Sequence, residues 1–364
     1  MVRKTRINLL TISVILVCVG IVMIYSSSSI YAWENFQDSF YFLKRHLSFL
    51  AAGIILAFLA MIIDYRLFRK YAHWLIWIAL ALLVLVLIPG VGREVSGARR
   101  WFRFKFISFQ PSEFANLALI AYIADFIARK GDKIKLLVSG FIPAVCMLGA
   151  VALLVLLQPD LGTVIALSSV VLIMLFVGGV RGRYILSLIL CSLPALYFLV
   201  FSVPYRRARI LAFLNPWLDP KGTGFQIIQS QIAIGSGGLF GRGLGHSQQK
   251  LFYLPAAHTD FIFSIIGEEL GLLGTLGIIA LFIIFIQQGL KIIKNAQDKF
   301  GYFFALGLVL MISLKAIINI GVSCGVFPTK GLPLPFISYG GSSLIFDMVS
   351  LGILINIARC GEYP

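Results

Sequence analysis

Long apolar runs separated by short polar segments recur along almost the whole chain. Each run of about 18 to 23 residues is long enough, as helix, to cross a hydrocarbon core of roughly 30 Å. About ten such spans are read, at 7–26, 46–63, 74–90, 112–128, 136–157, 161–179, 184–203, 261–287, 302–325 and 342–358. The pattern predicts an all-α polytopic membrane protein, one membrane domain over 1–364, with a large outer loop, 204–260, between the seventh and eighth spans. Within that loop the stretch Phe225 to Ile234 sets Gln226, Gln229 and Gln231 among apolar neighbours, which predicts an interfacial helix.

Composition agrees with the pattern. With 59% hydrophobic and 13% charged residues, the chain has too little polar surface to wrap a soluble core. Arg3, Lys4 and Arg6 precede a first span too long for a cleaved signal peptide, so it reads as an anchor. With a cytoplasmic N-terminus, the inner loops hold Arg66, Arg69 and Lys70, then Arg129, Lys130, Lys133 and Lys135, then Arg181 and Arg183, then Lys291, Lys294 and Lys299. That obeys the positive-inside rule, and an even number of spans returns the C-terminus, with Arg359, to the cytoplasm. Cys18, Cys146, Cys191 and Cys324 fall in apolar spans and Cys360 lies past the last, which implies no disulfide framework. His46, His73, His246 and His258 lack zinc-site spacing.

The outer side is unusually basic. Segment 89–111 holds Arg93, Arg99, Arg100, Arg103 and Lys105; segment 204–260 holds Arg206, Arg207, Arg209, Lys221, Arg242 and Lys250. One reading is a solvated face touching anionic headgroups. The sharper one is a bowl for an anionic substrate, since arginine forks suit phosphate. The glycine run from Gly235 to Gly245 matches neither dinucleotide nor Walker spacing, and a hinge where backbone approaches lipid or another helix explains it as well. Asp260 stands at the outer rim where a span begins. From position alone it is equally a helix cap and a catalytic carboxylate able to take a proton from an attacking hydroxyl.

The run from Asp219-Pro220 through Gly222, Phe225-Gln226, Gln229-Ser230, Gly235 to Gly238, Gln249-Lys250 and His258-Thr259-Asp260-Phe261 into Gly267-Glu268-Glu269-Leu270-Gly271 resembles the SEDS family of FtsW, RodA and SpoVE. Gly97-Ala98-Arg99-Arg100-Trp101, Gln110-Pro111-Ser112-Glu113, Gln158-Pro159-Asp160-Leu161-Gly162 and the run Pro328 to Ser343 agree, in the family's order from end to end. The Thr-Lys-Gly-Leu-Pro-Leu-Pro form and the Gly-Glu-Glu-Leu pair resemble the FtsW/SpoVE branch more than RodA.

The resemblance implies a peptidoglycan glycosyltransferase that polymerises lipid II at the outer face of the bacterial cytoplasmic membrane during division and releases undecaprenyl pyrophosphate. It maps Asp260 onto the family's outer-loop general base. Lys330, Arg99, Arg100, Arg206 and Arg209 are the candidate pyrophosphate contacts, joined by Lys250, His258 and Ser342 from the matching motifs. Glu113 and Asp160, at the outer mouths of their spans, are expected to pair or to face a polar cavity. Glu268 and Glu269 lie roughly 12 Å deeper than Asp260 if helical and read as structural or as partners of a buried cation. Lys315, where the family leads one to expect a neutral polar residue, is a candidate for that cation. No cofactor is required, though a divalent ion, Mg or Mn, could assist pyrophosphate departure. Implied partners are lipid II, a class B penicillin-binding transpeptidase, the division complex at the septum and membrane lipids, with no nucleic acid. Rival readings are a lipid II flippase, a non-catalytic division scaffold and, within the family, a RodA-type elongation enzyme.

Overall fold

The computed structural model describes residues 2–95, 98–103, 108–251, 253–329 and 331–361. Ten helices answer the ten apolar runs: α1 (Val2–Phe36), α2 (Tyr41–Ile62), α3 (Arg66–Leu85), α4 (Pro111–Lys130), α5 (Ile142–Leu156), α6 (Leu161–Val177), α7 (Gly182–Phe201), α10 (Ile262–Lys294), α11 (Lys299–Ser323) and α12 (Gly341–Cys360). Two more, α8 (Pro204–Leu214) and α9 (Phe225–Ser236), belong to the outer loop. Among the described residues, eight helices are long and apolar enough to cross a bilayer, α5 being counted with the helical turn that leads into it from Leu137. The other two of the ten are α6, apolar but 17 residues long, and α4, which carries charge at both ends.

Helix ends follow local chemistry. Pro111 opens α4 at a position whose N–H would go unbonded anyway, and Arg129 and Lys130 close it where the helix dipole favours cations. Asp298 caps α11 by accepting from Gly301 N at 2.9 Å, and Tyr65 donates its hydroxyl to the same carboxylate. At the inner end of α4, Asp125 meets Arg129 at 2.7 Å and Arg69 at 3.4 Å, which stitches α4 to α3. On the outer side, the described residues between α3 and α4 include a small antiparallel sheet, order β1 (Arg93–Val95), β2 (Ala98–Arg103), β3 (Ser108–Phe109), which the helical pattern did not predict.

Helices α11 and α12 form the buried centre, with α4 on one side and α1, α2 and α10 around them. Helix α7 has no buried residue and lies at the periphery.

Helix α10 is broken at Gly271, whose φ of 67° and ψ of −163° no other residue type adopts cheaply. A break at membrane depth leaves backbone groups that lipid cannot satisfy. The glycine run satisfies them: Arg242 N donates to Glu268 O (3.0 Å), Gly243 N to Glu269 O (3.1 Å), Leu272 N to Gly238 O (2.9 Å) and Leu273 N to Leu239 O (3.2 Å). Leu272 lies roughly 15 Å along α10 from Ile262, so this segment dips well below the outer rim. Its tip, Leu239 and Phe240, is 62% and 79% exposed. The glycines therefore serve close backbone approach, the hinge reading. Helix α9, expected along the interface, packs one face against α10 and α11 and leaves Gln231 and Ile232 exposed. Its buried Ser230 donates to the Ser323 carbonyl at 2.7 Å and sits 2.6 Å from the Ser264 hydroxyl.

Candidate active site

The site is built around the turn that precedes α10. Ala256 adopts a φ of 58°, and its carbonyl accepts from the N–H groups of Thr259 (3.1 Å), Asp260 (3.1 Å) and Phe261 (3.4 Å). That knot of bonds fixes the chain just before the helix. Phe261, not Asp260, occupies the N-cap of α10, and it makes no side-chain cap bond. The Asp260 carboxylate is thus left at the rim without a capping role.

Asp260 is partly buried, and burial raises its pKa from 3.8 to about 6. The charge of Arg209, the Thr259 hydroxyl and Arg100 pull the value down, while Asp160 pushes it up. Desolvation wins because water is excluded from most of the carboxylate's surroundings. A base with a pKa near 6 is mostly ionised at neutral pH yet still holds a proton usefully, which suits proton removal from a hydroxyl. The same interactions show that α8, β2 and the start of α6 all aim charge at this point.

Each charged neighbour is held in place. Arg209 donates to the Thr329 carbonyl at 3.2 Å and stacks 4.4 Å from the centroid of the Tyr205 ring. Arg100 donates to the carbonyls of Gln158 (2.6 Å) and Pro159 (2.7 Å), pinning the connection that carries Asp160. Asp160 caps α6, accepting from Thr163 N at 3.1 Å and from its hydroxyl at 2.9 Å. Arg206 donates to the Leu199 carbonyl at 3.0 Å, and Arg99 forms an exposed pair with Glu94 at 3.2 Å. Lys330 lies outside the described residues. Its neighbour Gly331 rests against Asp260: a Cβ built there would sit 3.2 Å from Oδ2.

Three expected substrate contacts are engaged elsewhere. His258 lies among the rings of Phe42 (4.6 Å), Tyr339 (5.8 Å) and Tyr31 (6.0 Å), and burial lowers its pKa to about 4. The ring anchors the turn among these aromatics, and burial disfavours the cationic form that would attract an anion. Ser342 accepts from Gln110 N (2.9 Å) and donates to the Ser108 carbonyl (3.0 Å), tying the start of α12 to β3. Lys250 is buried, 2.9 Å from Glu269 and 3.1 Å from the Ser26 hydroxyl.

That pairing also corrects the expected partner of Lys315. Glu269 is held by Lys250 and by Ser26, which donates at 2.7 Å. Glu268 accepts from Gln248 N (2.9 Å), Gln249 N (3.2 Å) and the Ser247 hydroxyl, with Arg242 3.6 Å away. The two glutamates thus anchor the segment that leads to the Asp260 turn. Lys315 instead meets Glu113 at 2.7 Å and Asp347 at 3.3 Å, with Ser343 at 3.2 Å, because α11 packs on α4 and α12 there. Among the described residues, no group of three or more His, Cys, Asp or Glu side chains could hold a metal ion.

The family model described as "Cell cycle protein", that of FtsW, RodA and SpoVE, matches residues 6–363. The chain belongs to this family. It is 49% identical over 357 residues to the probable peptidoglycan glycosyltransferase FtsW of Geobacter metallireducens, covering 98% of this chain and 95% of that protein. It is 45% identical over 363 residues to stage V sporulation protein E of Bacillus subtilis, covering 99% of each. A chain from a peptidoglycan synthase complex that coordinates polymerization and crosslinking superposes with a TM-score of 0.80 at 31% identity, covering 98% of both chains. The rod shape determining protein RodA of Thermus thermophilus superposes with a TM-score of 0.72 at 29% identity, covering 96% of this chain and 95% of that one.

Within this family fold, two residues that hold the site together were not singled out from the sequence, Ser26 and Asn319. Ser26 is one of several serines at the end of an apolar run, and nothing in its spacing points to Glu269. Asn319, inside an apolar span, did carry a signal, since a buried polar side chain at membrane depth needs a partner.

Proposed function

We propose that this chain is a peptidoglycan glycosyltransferase that polymerises lipid II at the outer face of the cytoplasmic membrane. The observation that carries the reading is Asp260: a partly buried carboxylate at the rim, with a pKa of about 6, between the charges of Arg209 and Arg100. The glucosamine hydroxyl of one lipid-linked disaccharide attacks the anomeric carbon of the muramic acid on another. The new glycosidic bond forms as the bond to pyrophosphate breaks, the hydroxyl proton passes to Asp260, and undecaprenyl pyrophosphate departs. Arg209, Arg100 and Lys330 stabilise the charge that develops on the leaving group. Holding both sugars in line with the carboxylate supplies much of the acceleration.

Family relationship supports a cognate class B penicillin-binding transpeptidase as partner and, from the FtsW names of its relatives, service in the division complex at the septum. We assign no protein ligand to a divalent ion; Mg2+ or Mn2+ carried on the pyrophosphate is tested by chelation. The deciding experiment supplies lipid II to the purified chain with its transpeptidase in proteoliposomes. Glycan strands are expected. Movement of lipid II between leaflets without strands would replace the reading with a carrier, and strands made only when another polymerase is added would replace it with a scaffold.

A further inference from the structure

The Asp260 turn is not held by its own helix alone. Between α11 and α12, residues 331–339 fold over it as a strap whose Leu332, Leu334, Phe336 and Ile337 are buried. On the α1 side a Cβ built on Gly20 would sit 2.8 Å from the Ile337 Cα, so that helix backs directly onto the strap. The strap and the turn are joined at three points. Ser338 donates its hydroxyl to the Thr259 carbonyl at 2.6 Å while accepting from Leu334 N at 2.9 Å, and Tyr339 N donates to the His258 carbonyl at 3.0 Å. The third point is Asn319, buried in α11 below both segments. One amide nitrogen, Nδ2, donates to the Asp260 carbonyl at 2.9 Å and to the Leu332 carbonyl at 2.8 Å.

We propose that Asn319 is the positioning residue of the transfer site, the pin that holds the Asp260 turn and the strap in one register so that the carboxylate stays covered by Gly331 and faces Arg209. The proposal rests on the glycosyltransferase reading for its kinetic consequence and on geometry alone for the pin. Both protons of one amide group are used on two carbonyls from separate loops, so no hydroxyl or carboxylate of similar size reproduces it. The chain just before the strap also meets the arginine: Thr329 supplies the carbonyl that Arg209 donates to. Loosening the pin therefore moves the base and its cationic neighbour relative to each other. It also lets water reach a carboxylate whose proton affinity is set by being covered.

The test compares wild type with Asn319→Ala, Asn319→Asp and Ser338→Ala in lipid II polymerisation with the partner transpeptidase, across pH 4 to 8. Asn319→Ala is expected to lower kcat by roughly ten- to a hundred-fold, as small misplacements of reacting groups do, with KM changed less than about three-fold. The acid limb of the profile is expected to move from about 6 down towards the ordinary carboxylate range. Asn319→Asp, which cannot donate, should behave as the alanine variant; Ser338→Ala, which leaves the pin, should keep more activity and an unmoved limb. A folded Asn319→Ala protein with normal kcat, or with low kcat and an unmoved limb, overturns the proposal.

Carbodiimide footprinting of Asp260 against pH, read by mass spectrometry, supplies a measure that needs no turnover. A downward shift of the Asp260 titration in Asn319→Ala supports the pin even if wild type makes no strands, an outcome that would sink the transferase reading alone. An unshifted titration overturns the pin whatever the activity.

Discussion

Removing the charge of Asp260 should stabilise the protein at neutral pH while abolishing its activity. The carboxylate is carried from 3.8 to about 6, and that displacement corresponds to about 3 kcal/mol between its ionised and protonated forms. Solvent at the partly open rim trims this to about 1–3 kcal/mol. The sign follows from the two titrations. Below pH 4 the group is protonated both folded and unfolded, and nothing is lost. Between pH 4 and 6 the unfolded chain ionises first, so stability falls as pH rises. Above 6 the native carboxylate is ionised against its burial and the full penalty stands. The Asp260→Asn variant has no such slope. Its stability advantage over wild type, followed by thermal unfolding in detergent, should be near zero at pH 4 and a few degrees by pH 8, using about 2–4 °C per kcal/mol for a large domain. Activity runs the other way, since only the ionised base accepts a proton: strand synthesis by wild type should rise through pH 6 as stability declines. A stability difference independent of pH, or an acid limb near 4, would refute a desolvated base at this position.

Three further outcomes follow from the packing and the charges. Arg209→Ala removes a cation that lowers the Asp260 pKa, so the acid limb of strand synthesis should move above 6, opposite to the effect of loosening the strap. Lys315→Met leaves Glu113 and Asp347 buried without their ammonium and should cost about 3–5 kcal/mol in thermal unfolding, whereas replacing all three by neutral residues of similar size should cost much less. Gly271→Ala places a Cβ against the Gly241 backbone at a φ of 67° and should destabilise by several kcal/mol, measured by the same assay; unchanged stability would mean the break in α10 does not require glycine.

The apolar runs were legible as helices because a bilayer imposes one length and one polarity on a crossing helix, and eight helices among the described residues meet both. Asp260 stood out as a rim carboxylate, but its position suited a helix cap equally well, and only the fold gives the N-cap of α10 to Phe261. What sequence could not supply was pairing between helices. Lys315 reads equally well as partner to any deep acid, and only the packing of α11 on α4 and α12 selects Glu113 and Asp347 over the glutamates of α10. Lys250 looked like one more outer cation until the fold carried it inward to Glu269. The same blindness made His258 a substrate contact, although the rings around it come from α1, α2 and the segment before α12. Helix α9 carried an amphipathic pattern that suits an interface as well as a groove, and its destination depended on Ser264 and Ser323, remote in sequence.

The central claim is that a carboxylate at position 260 takes the proton in sugar transfer. Its most direct test is strand synthesis from lipid II by the purified protein with its transpeptidase, wild type against Asp260→Ala and Asp260→Asn, each shown to be folded by thermal unfolding. The account predicts glycan strands from wild type and none from either variant; variants that polymerise at the wild-type rate would contradict it.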